Sequence, residues 1–216
     1  MEQDYNTILL STAYFAPVQY FTKFLLSGKI IIEVHETFPK QTYRNRCVIY
    51  GANGKQSLVI PVKKINGNRT KTADILIDYN TDWRKNHVRA IESAYKHSPF
   101  FEFYEDIIMP FYKIQEKRLV EFNMKLLNTL LQLLEIKVTV IMSERYFKTS
   151  NSFNDYRVSI HPKKQKQESD PYFIQKNYIQ VFSDKHGFKE NLSIIDLLFN
   201  EGPNARNILM HSIKEG

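Results

Sequence analysis

Residues 8–34 read ILLSTAYFAPVQYFTKFLLSGKIIIEV and predict the first unit of the fold. The apolar run at 8–10 is typical of a buried strand, and Pro17 suits the first turn of a helix because its missing N–H is not needed there. Apolar residues then recur at helical spacing until Gly28, where glycine commonly ends a helix. The isoleucine-rich run at 29–34 predicts a second strand. The chain therefore begins as strand, loop, helix and strand.

Further periodic patterns follow along the chain. Apolar residues at 48–50 and 58–62 flank Asn53-Gly54, a pair that favours a type I′ turn, and they predict a β-hairpin. Helices are predicted over 82–97, 101–111 and 116–135, and a strand over 137–142. Strand and helix thus alternate through most of the sequence.

The remainder of the sequence is less regular. Loops are predicted over 149–155 and 165–170, and a short helix within 178–188. Ser193 and Asp196 have the spacing of a capping box at the start of an apolar helix that ends near Gly202. No internal repeat, low-complexity tract or clear linker divides the chain.

This alternation predicts an α/β fold with a mainly parallel central sheet, helices on both faces and a β-hairpin insertion over 48–62. With 216 residues, of which 43% are hydrophobic and 25% charged, the composition is ordinary for a globular protein. Because nothing divides the sequence, residues 1–216 are predicted to form a single domain.

Several features bear on the location of the protein. No run of about eighteen uncharged apolar residues occurs, so no membrane span is predicted. Residues 1–5 are acidic, whereas a secretory leader begins with a basic region, so secretion is not expected. Cys47 is the only cysteine, which excludes an internal disulfide and favours a reducing compartment. We therefore expect a cytoplasmic protein.

The charge predicts an anionic partner. The formal net charge is +7 and the sequence pI about 9.3, so the surface attracts anions. Basic residues are scattered among acids, except at the run 163–166. This distribution suits a pocket for an anionic small-molecule substrate, such as a nucleotide-linked one, better than a nucleic-acid-binding stripe. Neither a dinucleotide-binding glycine pattern nor a phosphate-loop lysine occurs, and the sequence assigns no cofactor and no oligomeric state.

The best anion site in the sequence lies just before a predicted strand. It offers a phenol, two amides and two guanidinium groups, on Gln41, Tyr43, Arg44, Asn45 and Arg46. In an extended chain Arg44 and Arg46 would share one face, where they could hold a phosphate or carboxylate with paired hydrogen bonds. A solvated edge strand, whose charges discourage pairing, explains the segment equally well.

A second candidate surrounds the only tryptophan, Trp83, at a predicted helix start. Arg84 and His87 lie three residues apart on one face of that helix, and a histidine there could act as a general base or bind phosphate. The alternative is a structural tryptophan beside a basic surface turn. Tyr14 belongs to the loop at 11–17, where an α/β sheet places its ligand, unless it packs in the core.

Two further histidines are candidates. His161 and Lys163 could meet a negative charge, although a solvated basic run explains them as well. His186 is predicted in the last turn of a short helix, where the helix dipole favours a histidine without any function. No His-Glu-x-x-His or Cys-x-x-Cys spacing occurs, so no metal site is predicted. Cys47 is more typical of a buried small residue than of a nucleophile.

Several segments together resemble the WbqC-like family of bacterial proteins. They are YFAPVQYF (14–21), QTYRNR (41–46), WRKNH (83–87), SPFF (98–101), HPKK (161–164), HGF (186–188) and LSIIDLLFNEGP (192–203). None is diagnostic alone, but their order and joint presence over nearly the whole chain are specific. Many relatives have a His-Gln pair where this chain has Ser11-Thr12, a departure that bears on activity.

The resemblance implies an enzyme of bacterial surface-polysaccharide biosynthesis that acts on an activated sugar or a similar anionic metabolite. It also implies that the polar residues of these segments line one cleft. We therefore predict a group transferase acting on a nucleotide- or phosphate-linked sugar. The predicted roles are anion binding by Arg44 and Arg46, ring packing by Tyr14 and Trp83, and proton transfer by His87 or His161.

Two other function classes stay open. A non-enzymatic nucleic-acid-binding protein would account for the high pI and an aromatic content of 13%, although no RNA- or DNA-binding motif is present. Oligonucleotide affinity that falls steeply with salt, without competition from nucleotides, would favour it. A scaffold for an envelope-assembly complex would instead show a large exposed apolar patch.

Overall fold

The structure is a computed structural model that describes residues 7–148, 154–163 and 170–214. Its strands are β1 (Thr7–Ser11), β2 (Lys29–Glu33), β3 (Arg46–Gly51), β4 (Gly54–Val59), β5 (Val62–Lys63), β6 (Leu76–Ile77), β7 (Thr139–Met142) and β8 (Asn154–Asp155). Its α-helices are α1 (Val18–Leu26), α2 (Trp83–Tyr95), α3 (Phe101–Ile108), α4 (Leu119–Leu133), α5 (Ser183–His186), α6 (Ile194–Glu201) and α7 (Ala205–His211). Short 3₁₀ turns occur at Tyr43–Asn45, Gly67–Arg69, Thr72–Asp74, Met109–Tyr112 and Gly202–Asn204.

Four parallel strands form the central sheet, in the order β7-β2-β1-β8. Leu9 of β1 lies opposite Ile31 of β2 on one side and Asp155 of β8 on the other. The antiparallel hairpin β3-β4 and the short pair β5-β6 stand apart from this sheet. The predicted α/β fold class, with a parallel sheet, helices and a β-hairpin, is confirmed.

The two central strands are covered on both faces. Ile8 and Leu10 of β1 pack into the main core together with Ile32 of β2. Leu9 and Ile31 alternate with them and are also buried, so they lie on the opposite face. A parallel strand that is covered on both faces has a continuous apolar sequence. This explains why apolar and polar residues do not alternate along these two strands.

The helices follow the predicted apolar stripes. In α1, Val18, Phe21 and Phe24 are buried, and in α4 the buried set includes Leu119 and Phe122. Residues 194–200 of α6 are all buried, so this helix crosses the interior of the protein. None of the helices in the three described ranges is long and apolar enough to cross a lipid bilayer.

The predicted loop over 149–155 is wrong at its end. Residues 149–153 lie outside the described residues, but Asn154 and Asp155 form β8 beside β1. Their polar side chains give no strand signal, and the pairing supplies the conformation instead. The predicted loop over 165–170 lies outside the described residues except for Asp170.

The turn of the hairpin also differs from the prediction. Gly51 pairs with Gly54, so Ala52 and Asn53 are its central residues. A type I′ turn needs a positive φ at both central residues. Positive φ occurs instead at Gly54, where it is 101°. The Asn-Gly pair therefore marks the hairpin correctly but not its turn type.

The predicted capping box is absent. Ser193 stands at the N-cap of α6, but its Oγ donates to the carbonyl oxygen of Phe15 (2.7 Å). The Asp196 carboxylate accepts hydrogen bonds from the hydroxyls of Tyr95 (2.8 Å) and Tyr178 (2.6 Å). Burial raises the pKa of Asp196 to about 6, although these bonds oppose the rise. The pair that resembles a cap therefore joins α6 to other parts of the core.

Candidate functional site

The carboxyl ends of the parallel strands form the candidate site. In chain order, β1, β2, β7 and β8 are the first to fourth strands of the central sheet, so their spatial order β7-β2-β1-β8 is 3-2-1-4. The direction of winding therefore reverses between β1 and β8. Loops that leave neighbouring strands at such a point diverge, and the crevice between them is where α/β proteins bind ligands. Here β1 ends at Ser11 and β8 ends at Asp155.

A groove of about 710 Å³ opens at this edge, and we call it the edge groove. Its lining includes His35, Lys40, Thr42, Arg44, Tyr146, Arg157, Val158 and His161. Small-molecule sites typically have volumes of about 300–1,000 Å³. A smaller cavity lies against Ser11 and Thr12, and Arg44 and Arg157 border both cavities. The two spaces together follow the point where the sheet reverses its winding.

Arg44 is fixed at the edge groove by its own ion pair. Its Nε donates to Glu36 Oε1 (2.9 Å), and its Nη2 donates to the same oxygen and to Ser11 Oγ (both 2.5 Å). Asn123 Nδ2 donates to the carbonyl oxygen of Arg44 (2.8 Å). Among the described residues, these bonds leave the two N–H groups of Nη1 for a ligand.

Arg46 does not join Arg44 in the groove. Residues 43–45 form a 3₁₀ turn instead of the predicted extended chain, so the two guanidinium groups do not share a face. Arg46 begins β3, and its Nε is buried without a hydrogen-bond partner in the described part of the chain. Asn45 Nδ2 donates to the carbonyl oxygen of Ile60 (2.8 Å) and holds the turn against the next segment.

Glu33, the last residue of β2, joins three loops at the carboxyl edge. Its Oε1 accepts hydrogen bonds from His35 N (2.6 Å) and Ser143 Oγ (2.9 Å), and its Oε2 accepts from Phe147 N (2.8 Å). Arg157 Nη1 lies 3.7 Å from the same Oε2. The side chain is fully buried, so a carboxylate there requires these partners. Glu33 therefore fixes the loops after β2, β7 and β8 relative to one another.

Arg157 brings a second guanidinium group to the groove. Its Nε and Nη2 donate to the two carboxylate oxygens of Asp155 (2.9 and 2.6 Å), and its Nη1 donates to the carbonyl oxygen of Phe147 (2.9 Å). Burial by itself lowers the pKa of Arg157, but the bonds to Asp155 and the charges of Asp155, Glu36 and Glu33 outweigh it and raise the pKa. The guanidinium group is therefore charged and held in one orientation.

Two imidazole rings border the edge groove, and their hydrogen bonds define their tautomers. His35 Nε2 lies 3.0 Å from the carbonyl oxygen of Ser143, which can only accept, so Nε2 carries a proton and donates it. His161 Nδ1 accepts from Lys163 N (3.0 Å), which leaves the ring proton on Nε2. Two imidazole rings with defined hydrogen bonds therefore line the groove. In the residues that the structure describes, no group of three or more histidine, cysteine or acidic side chains is arranged to hold a metal ion.

Tyr14, Trp83 and His87 form a buried cluster that does not line the groove. The Tyr14 hydroxyl lies 3.0 Å from His87 Nδ1 and 2.6 Å from the Tyr112 hydroxyl, and the ring centres of Trp83 and His87 are 5.2 Å apart. The predicted ring packing by Tyr14 and Trp83 would need ring faces that this cluster already covers. Sequence spacing places His87 on a helix face but does not reveal that the face is buried.

His87 is neutral in the folded protein. Burial lowers its pKa to about 4, and a hydrogen bond to the backbone of Val59 opposes that shift only in part. Because one ring nitrogen binds the Val59 carbonyl, Nδ1 is left to accept from Tyr14. Both nitrogens thus contact groups of the protein, as in a core histidine.

We expect the free energy of unfolding to fall as the pH drops from 6.5 to about 4, the unfolded and folded pKa values of His87. Between these values the unfolded chain binds more protons than the folded protein, so stability decreases with acid. A His87→Gln variant should lose less stability over this range, by up to about 3 kcal/mol. Urea unfolding near pH 7 and near pH 4 measures the difference, and equal losses in both proteins would contradict the low pKa.

Two predicted residues lie on other surfaces. Arg84 borders a separate cleft of about 640 Å³ beside α2 and α3, and its guanidinium group lies 5.0 Å from the ring centre of Tyr79. His186 lies beside the hairpin, where its Nε2 is 2.9 Å from the carbonyl oxygen of Ala52. Neither side chain lines the edge groove.

Gln41, Tyr43 and Lys163 are neighbours of the groove in sequence without lining it. Gln41 is exposed in a turn with a φ of 61°, Tyr43 is buried and borders the smaller cavity, and Lys163 is exposed. Of the predicted residues, the structure therefore brings Arg44 and His161 together at the edge groove. It distributes the others over the surroundings of the groove, the core and two further surfaces.

Several groove residues are missing from the sequence-based prediction. His35 and Glu36 of the lining directly follow the predicted strand 29–34, and Glu33, which fixes the loops around the groove, lies within it. The rule that sites form at the carboxyl ends of parallel strands could have found all three. Arg157 carried no such signal, because β8 contains two residues and neither is apolar.

The sequence profile of the WbqC-like protein family matches residues 12–169. The chain belongs to the WbqC-like family. The residues that line the edge groove all fall within the matched region of this WbqC-like protein. It is 28% identical over 217 residues to the uncharacterized protein Rv1507c of Mycobacterium tuberculosis, an alignment that covers 89% of this chain and 92% of the relative. No solved structure matches the WbqC-like chain.

Proposed function

We propose that this WbqC-like protein transfers a group on a nucleotide- or phosphate-linked sugar bound in the edge groove. The observation that carries the proposal is that two fixed guanidinium groups and two imidazoles border one groove at the carboxyl edge of a parallel sheet, the edge where α/β proteins commonly bind ligands. Phosphate requires charged donors, and a sugar hydroxyl requires a group that takes up its proton. In this proposal the sugar belongs to bacterial surface-polysaccharide biosynthesis, as the family resemblance implies.

The phosphate would be bound by Arg44 and its neighbours. Glu36 offsets part of the positive charge of Arg44, but the ion pair also fixes the guanidinium plane. Little conformational entropy is therefore lost when a ligand binds. Lys40 adds a flexible charge to the lining. Thr42 also lines the groove, and its buried Oγ1 has no hydrogen-bond partner among the described residues. A ligand oxygen would satisfy that hydroxyl.

The proton transfer would use the two imidazoles. The acceptor hydroxyl oxygen forms a bond to the sugar carbon that carries the phosphate, and the C–O bond to the phosphate breaks. His35 Nδ1 accepts the hydroxyl proton, because Nε2–H is already bound to the carbonyl oxygen of Ser143. His161 also lines the groove, where an imidazole suits the recognition of a phosphate oxygen. Arg44 and Arg157 stabilise the negative charge that develops on the leaving phosphate. His87 takes no part in this scheme, since its ring is held in the core.

Arg44→Lys is expected to weaken the binding of a nucleotide sugar about 10-fold, because lysine keeps the charge but loses the planar pair of donors. Lysine is chosen over alanine because a positive charge must remain beside Glu36, whose side chain is 14% exposed. A thermal-shift screen against nucleotide sugars, acyl-CoAs and free nucleotides identifies the ligand class, since a bound ligand raises the melting temperature. Isothermal titration calorimetry then measures the affinity of each variant.

Arg118→Lys provides the matched control. Arg118 is exposed and pairs with Glu121 at 3.6 Å on the surface, outside the edge groove. Its substitution should leave the affinity unchanged. The proposal is contradicted if no anionic ligand raises the melting temperature, or if both lysine variants bind the ligand equally well.

A further inference from the structure

The rim of the edge groove carries two exposed apolar side chains. Tyr146 is 52% exposed and Val158 is 50% exposed, and both line the groove. Elsewhere the same groove is lined by charged and hydrogen-bonding groups such as Arg44 and His161. An exposed aromatic ring and an exposed branched side chain in one small groove are informative, since large apolar groups at a binding site commonly contact the ligand.

The Tyr146 ring lies beside Arg157, which lines the same groove. The guanidinium carbon of Arg157 lies 5.7 Å from the ring centre, a distance at which a cation is attracted to an aromatic face. Arg157 is itself fixed by Asp155 and by the carbonyl oxygen of Phe147, the next residue after Tyr146. This contact restricts the ring before a ligand binds, which lowers the conformational entropy lost when a ligand stacks on it.

We propose that Tyr146 and Val158 form a platform for a nucleobase, so that the ligand of the edge groove is a nucleotide-linked compound and not a plain sugar phosphate. This inference rests on the proposed function and narrows its substrate class. Tyr14 and Trp83 cannot serve as the platform in this arrangement, because their rings lie in the core. In this proposal Tyr146, and not Tyr14 or Trp83, packs against the ring of the ligand.

The arrangement fits the two ends of a nucleoside diphosphate. Arg44 and Lys40 lie on the lining that follows β2, whereas Tyr146 follows β7 and Val158 follows β8. A ligand that carries phosphate oxygens and a flat ring in one molecule suits both parts of this lining. Since every base has a π-face, the platform predicts nucleotide binding without selecting one base.

The test measures affinity for uridine, adenosine, guanosine and cytidine diphosphates and for inorganic pyrophosphate, which lacks a base. Isothermal titration calorimetry is performed on the wild-type chain, Tyr146→Ala and Tyr146→Phe. We expect Tyr146→Ala to weaken the best nucleoside diphosphate about 10-fold and to leave pyrophosphate affinity unchanged, because only the stacking is removed. Tyr146→Phe retains the ring and should bind like the wild type.

Tyr172→Ala is the matched control, because Tyr172 is 40% exposed and lies outside the groove. Circular dichroism of each variant confirms that the fold is retained. If pyrophosphate binds as tightly as every nucleoside diphosphate, or if Tyr146→Ala weakens both kinds of ligand equally, the platform is overturned while anion binding stands. If neither kind of ligand binds the wild-type chain, the proposed function and the platform both fail.

Discussion

Glu33→Gln is expected to lower the free energy of unfolding by about 3–5 kcal/mol, the usual effect of removing one partner of a buried ion pair. The Glu33 carboxylate is fully buried and accepts hydrogen bonds on both oxygens. Glutamine has one oxygen and one NH₂ group, so a donor would face either His35 N–H or Phe147 N–H. The substitution also removes the negative charge that lies 3.7 Å from Arg157. Urea unfolding near neutral pH measures the loss.

The same variant should also lose ligand affinity at the edge groove, at least about 10-fold, because a misplaced binding group readily costs 1.4 kcal/mol. Glu121→Gln is the control, since the Glu121 side chain is 47% exposed and its ion pair with Arg118 lies on the surface. We expect that control to change stability by less than about 1 kcal/mol. Equal stabilities of the two variants would show that Glu33 does not hold the three loops together.

The local part of the fold was predictable from the sequence because its signals are periodic. The order β1-α1-β2 follows from apolar runs and helical spacing within residues 8–34, and tertiary packing only reinforces these preferences. Asn154 and Asp155 show the limit of this reasoning, since they become a strand only by pairing with β1. Asp196 shows it again, because two tyrosine hydroxyls from distant parts of the chain bind the carboxylate that resembles a cap.

The candidate site was predictable in residue type more than in position. The sequence identified Arg44 as an anion-binding candidate and His161 as a proton-transfer candidate, and in the structure both line the edge groove. The sequence could not show that the Tyr14 hydroxyl hydrogen-bonds to His87 Nδ1, because the two residues are 73 positions apart. Glu33 and Phe147, which hydrogen-bond to each other, are 114 positions apart. Contacts of this range depend on the completed fold, and no local pattern records them.

Asp170→Asn is expected to destabilise the protein by about 3–5 kcal/mol near neutral pH, because it leaves a buried ammonium group without its carboxylate. Lys23 in α1 is fully buried, and its Nζ lies 2.7 Å from Asp170 Oδ2 and 4.4 Å from the ring centre of Tyr156. Gln19 Nε2 also donates to the carboxylate (2.8 Å). Asparagine would offer the ammonium group an amide oxygen but no charge.

The pH dependence identifies the cause of that loss. Burial lowers the pKa of Lys23 from 10.5, and the hydrogen bond and charge of Asp170 oppose the shift. In Asp170→Asn the folded-state pKa falls further, so above neutral pH the unfolded chain binds more protons than the folded one. Stability of the variant should therefore rise with pH up to the ordinary lysine value, more steeply than that of the wild type. Urea unfolding near neutral pH and at alkaline pH measures this slope.

Lys23→Met added to Asp170→Asn separates the buried charge from the packing. The double variant should regain most of the lost stability, since an apolar side chain of similar length leaves no charge to desolvate. Asp184→Asn, at an exposed position of α5, is the control for loss of one surface carboxylate. A single variant as stable as this control, or a double variant no more stable than the single one, would contradict the ion-pair argument. Because Tyr156 also borders the smaller cavity, which shares Arg44 and Arg157 with the edge groove, Asp170→Asn should also weaken ligand binding.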